Sequence, residues 1–158
     1  MKASSISILK KELATLPHSD VIEICMKLVK YKKENKELLS YLLFDANNEL
    51  EYIRNIKAEI DLQFAEINLS HLYFAKKSIR KILKITNKYI RYSGQKQTEV
   101  ELLIHFCAEF KKSGISIKSN NSLSNLYLNQ VSKIHVSISA LHEDLQHDYL
   151  KEIAVLNL

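Results

Sequence analysis

Residues 70–114 read SHLYFAKKSIRKILKITNKYIRYSGQKQTEVELLIHFCAEFKKSG. This stretch decides the fold. Leu72, Ala75, Ile79, Ile82, Leu83, Thr86, Tyr89 and Ile90 recur mainly at steps of three and four, which is one face of a helix and not the alternation of a strand. Gly94 stands where that helix needs a residue able to take positive φ. Thr98-Glu99 then opens a second helix through Val100, Leu103, Ile104, Cys107 and Phe110. Gly114 stops it in the same manner, with Lys111 and Lys112 placed at the negative end of the dipole.

Those two glycines are the only ones in 158 residues, and Pro17 is the only proline. Average usage gives roughly 11 and 8 in a chain of this length. So few turn formers exclude β-sandwiches and small barrels, which need turns about every 8–12 residues. They also exclude P-loops and dinucleotide fingerprints, each of which spends several glycines at fixed offsets. The helical period continues outward in both directions. Ile6, Leu9, Leu13 and Leu16 form a short helix ended by Pro17, and Ser19-Asp20 can cap the next, through Val21, Ile22, Cys25, Leu28 and Val29. The polar run 32–35 reads as a break before Leu38, Leu39, Leu42 and Leu43. Asn47-Asn48 starts a helix carrying Leu50, Ile53, Ile56, Ile60, Phe64 and Ile67. Downstream, 115–121 reads as a loop. From Leu123 to Ile153 the spacing fits one helix or two meeting near His142.

The expected architecture is all-α: a single domain over 1–158 with about seven to eight helices, stacked as antiparallel hairpins in a bundle or a short helical-repeat array. Cys25 and Cys107 sit at apolar positions and read as buried small hydrophobes in a reducing compartment. The N-terminus lacks a signal-like apolar region, and no run approaches a membrane span, so a cytoplasmic location is expected.

The formal charge is only +5, but it is unevenly divided. Residues 68–98 hold eight cations and no anion, whereas 45–67 hold two cations and six anions. Lys76, Arg80, Lys84 and Lys88 repeat every four residues; Lys77 and Lys81 widen the row, and Arg91 and Lys96 extend it. Like charges at this spacing repel by a few tenths of about 1 kcal/mol per pair unless something anionic faces them. The leading expectation is a non-enzymatic interaction module whose basic helix, about 72–92, binds an acidic protein or RNA. Tyr73, Phe74, Tyr89 and Tyr92 lie beside the row, as single-strand binding uses, although Tyr89 also falls on the apolar stripe. The alternative is internal: Glu49, Glu51, Glu59, Asp61 and Glu66 on helix 47–67 neutralise the row, leaving a structural, self-associating protein.

Two further clusters bear on chemistry. His142, Asp144, His147 and Asp148 are metal-capable, and a metal-dependent enzyme built on them is the other alternative. His142 and His147 are five apart, about 140° around a helix, whereas a zincin pair is four apart, so neither a metal nor a cofactor is expected. The loop 92–98 offers free N–H groups and Lys96 to an anion at the start of the following helix. His105 and Cys107, two apart, point to different helix faces and form no nucleophile–base pair.

The segments Lys76–Leu83, Asn87–Leu103, Glu37–Phe44 and Leu141–Gln146 together resemble a bacterial family of small all-helical proteins of unknown function. The resemblance implies a cytosolic bacterial protein and supplies no catalytic residue to carry over.

Overall fold

A computed structural model describes residues 2–117 and 121–156. Among the described residues there are eight α-helices and no strand: α1 Ile6–Thr15, α2 His18–Tyr31, α3 Lys33–Ser40, α4 Glu49–Ala65, α5 Leu72–Ser93, α6 Lys96–Lys112, α7 Asn121–Ile138 and α8 Glu143–Val155. A π-helical turn, Tyr41–Asp45, follows α3. The all-α expectation holds, and the long C-terminal pattern resolves into two helices, α7 and α8. Positions 118–120 of the expected loop lie outside the described residues. The chain forms two compact units, Met1–Phe44 and Asp45–Leu158.

In the first unit α2 packs on α3, while every residue of α1 is exposed. The polar run 32–35 is not a loop. Lys32 is extended, α3 starts at Lys33, and Asn35 Nδ2 donates to Leu28 O at 2.7 Å, tying the start of α3 back to α2. Pro17 itself takes the cap position of α2, so Ser19 and Asp20 fall inside its first turn. Proline fits there because its missing N–H costs nothing at a helix start. Cys25, Leu28, Val29, Asn35, Leu38, Leu39 and Leu42 line an apolar hollow of about 270 Å³. Cys25 is thus exposed rather than buried.

The second unit is built around α6. Val100, Leu102, Leu103, Ile104, Phe106, Cys107 and Phe110 are all buried, and a helix apolar on so many sides belongs in a core. α4, α5 and α7 each pack against it, and α8 packs on α7. The rings of Phe64, Phe106, Phe110 and Tyr127 run through the interior at centroid separations of 5.6, 6.1 and 5.9 Å. Burial pushes the Cys107 thiol up to about 12, which makes it a packing group and not a nucleophile. Both glycines adopt positive φ, 68° at Gly94 and 74° at Gly114, and Gly94 N–H closes on Ile90 O as a helix stop. α6 begins at Lys96, two residues before Thr98, with Gln95 at the cap position.

Candidate functional site

α5 buries Ala75, Ile79, Ile82, Thr86 and Ile90, and its other residues are half-buried or exposed. At about 100° per residue, Tyr73, Lys77, Arg80, Lys84, Lys88 and Arg91 fall on the face opposite Ile82. Lys77, Arg80, Lys81, Lys84 and Arg91 are exposed, whereas Lys76, nearer the buried stripe, is half-buried. Among the described residues no carboxylate lies within 4.0 Å of Lys76, Lys77, Arg80, Lys81, Lys84 or Arg91. The Lys88 ammonium sits over the rings of Tyr89 and Tyr92, 4.6 and 5.8 Å from their centroids.

The acidic side chains of α4 are engaged elsewhere. Glu49 accepts hydrogen bonds from Ser93 and from Thr98, Glu51 pairs with Arg54, Glu59 accepts from Gln63, and Asp61 meets His105. Glu66 shares a hollow with Lys81 and Ser78 but forms no ion pair there. Among the described residues these acids form no ion pair with Lys76, Lys77, Arg80, Lys81, Lys84 or Arg91. Glu49 also answers the loop 92–98: the anion held by Ser93 and Thr98 is the chain's own carboxylate. Lys96 leaves the basic set too, since its Nζ lies 2.7 Å from Glu99. Burial works to raise the Glu99 carboxyl, but hydrogen bonds from Lys96 and Ser137 and the charges of Lys96 and Lys133 outweigh it and hold it below the usual range.

Between α5 and α7 runs an open groove of about 600 Å³, lined by Lys84, Asn87, Arg91, Asn129, Gln130 and Lys133 above Ile90 and Glu99. Arg80 Nη2 reaches Ser122 Oγ at 2.6 Å across one end. Lys133 Nζ lies 3.4 Å from Asn87 Oδ1 further along. The α7 contribution was not legible in the charge row. Lys133 stands alone in its segment, and only the packing of α7 on α6 sets it opposite Lys84 and Arg91.

Of the tail cluster only His142 and Asp144 come together, with His142 Nδ1 3.4 Å from Asp144 Oδ2. His142 stands before α8 as its cap, its Nδ1 accepting from Asp144 N–H at 3.4 Å, so it does not share the helical face of Asp144 and Asp148. His142, Asp144, His147 and Asp148 are all exposed. Among the described residues, three metal-capable groups converge at Asp61, His105 and Glu109 instead. His105 and Glu109 belong to a polar ladder that the sequence shows at four-residue spacing on α6: Gln97, Glu101, His105 and Glu109. Tyr149 of α8 donates to Glu101 at 2.6 Å and accepts from Gln97 at 3.2 Å, and Lys57 of α4 meets Glu101 at 2.5 Å.

No family model, curated protein or solved structure matches the chain. Among the described residues no helix is long and apolar enough to cross a membrane.

Proposed function

We propose that the second unit is a non-enzymatic binding module that takes single-stranded RNA along the outer face of α5 and the α5/α7 groove. The observation that carries this reading is the exposed row Lys77, Arg80, Lys81, Lys84 and Arg91, free of carboxylate partners among the described residues. With Lys88 in the row, Lys77, Arg80, Lys84, Lys88 and Arg91 recur every three to four residues, about 4.5–6 Å along the axis, a spacing that suits successive phosphates of an extended strand. A helix that forgoes internal neutralisation gives up some stability, and a polyanion restores it by releasing its own counterions. Tyr73 and Phe74, both exposed at the start of the same helix, offer faces for base stacking. In the groove Asn87 and Asn129 bring amides beside Lys84, Arg91 and Lys133, which suits base edges next to phosphates.

An acidic protein segment is the second reading, favoured by the same cations but drawing nothing from Tyr73 and Phe74. Fluorescence anisotropy with a labelled single-stranded RNA, and separately with a poly-glutamate peptide, tests both. The expected result is RNA binding that Arg80→Glu with Lys84→Glu abolishes and that Tyr73→Ala with Phe74→Ala weakens. RNA affinity unchanged by the charge reversal overturns the proposal. Tight peptide binding that survives loss of both aromatic rings transfers the row to the acidic-protein reading.

A further inference from the structure

We propose that Asp61, His105 and Glu109 form a binding site for a divalent transition-metal ion of the zinc class, clamped between α4 and α6. His105 and Glu109 are four apart on α6, the spacing that puts two ligands one above the other on one helix face. Asp61 comes from the neighbouring helix, with its Oδ1 2.6 Å from His105 Nε2. One ligand atom of each residue lies within 4.8 Å of the other two. Ligands around a tetrahedral zinc ion stand about 3.4 Å apart, so the close His105–Asp61 pair opens by about an ångström while Glu109 lies within reach of the same centre. One imidazole nitrogen and two carboxylate oxygens form a donor set that zinc and its neighbours accept, with water completing the shell.

Lys112 points to the same conclusion. Its ammonium lies 2.6 Å from Glu109, one turn further along α6. The lysine therefore supplies the charge that a cation at this place would carry. Its side chain is 68% exposed, so it can swing into solvent, and a surface pair of this kind is worth little. His105 and Glu109 are mostly covered, which gives the ion a less hydrated seat than scattered surface carboxylates offer.

The site makes no use of the α5 row, so it stands whether or not RNA binds there. The test is titration of the chelator-treated full chain with Zn2+ by calorimetry and with Co2+ by visible absorption. One equivalent is expected to bind, with a cobalt band showing nitrogen and oxygen ligation. His105→Ala and Glu109→Gln are each expected to weaken binding at least about tenfold. Lys112→Met is expected to tighten it, because the competing ammonium is gone. An ion held adventitiously elsewhere on the surface does not respond to the loss of Lys112, and His142→Ala with His147→Ala should leave the affinity intact. Melting curves for each variant show whether a loss of binding reflects unfolding; should His105→Ala unfold, Glu109→Gln and Lys112→Met carry the decision. Absence of saturable binding, full affinity in a folded Glu109→Gln, or no tightening in Lys112→Met overturns the proposal.

Discussion

At the scale of single residues, the second unit is organised by carboxylates that each have a specific donor. Glu101 is the clearest. Burial alone raises its carboxyl, but hydrogen bonds from Lys57 and Tyr149 and the charge of Lys57 overcome that and leave it below its ordinary value of 4.5. The same bond pushes the Tyr149 phenol, already raised by burial, further up. A carboxyl lowered in the folded state stabilises the protein above its unfolded value and loses that contribution as pH falls through the folded one. Glu101→Gln is therefore expected to cost about 1–3 kcal/mol near neutral pH, with Lys57 left short of its partner. Urea midpoints of wild type and variant between pH 7 and pH 3 check this: the gap should narrow below pH 4.5, and a constant gap would show that the ionised form is not what matters.

At the scale of elements, the helices were legible because apolar spacing and backbone punctuation agree. Pro17, Gly94 and Gly114 all fall at helix boundaries, as their number and position imply. Gly94 has open space where a Cβ would stand, so Gly94→Ala meets no clash and pays only for its positive φ. A loss of about 1 kcal/mol is expected by thermal or urea melting, with Gly94→Asn losing less. The boundaries misread were those set by tertiary partners. Thr98 looks like a cap but gives its hydroxyl to Glu49, and the run 32–35 looks like a loop but forms the first turn of α3. Periodicity identified the basic row on α5, yet the fate of the acids on α4 depended on which side chains stood opposite them. That information resides in packing. The α6 ladder was visible as Gln97, Glu101, His105 and Glu109 at four-residue spacing, but without Lys57, Asp61 and Tyr149 opposite it resembles an ordinary polar stripe.

At the scale of the whole molecule, the core and the charge occupy different places. Leu103 is fully buried on α6, whereas Leu13 on α1 is 41% exposed, although the sequence assigns both to apolar stripes. Leu103→Ala is expected to cost about 2–5 kcal/mol and Leu13→Ala to change little, as chemical denaturation of the two variants will show. The positive charge is gathered on the outer face of α5, with Lys133 facing it across the groove from α7, and among the described residues Lys77, Arg80, Lys81, Lys84 and Arg91 meet no carboxylate. That separation is the basis for reading the protein as a polyanion binder. The most direct test is the salt dependence of wild-type affinity for single-stranded RNA, measured by anisotropy from low to moderate potassium chloride. Five neutralised phosphates predict a log–log slope of about −3 to −4. A slope near zero, or no binding at low salt, would contradict the account.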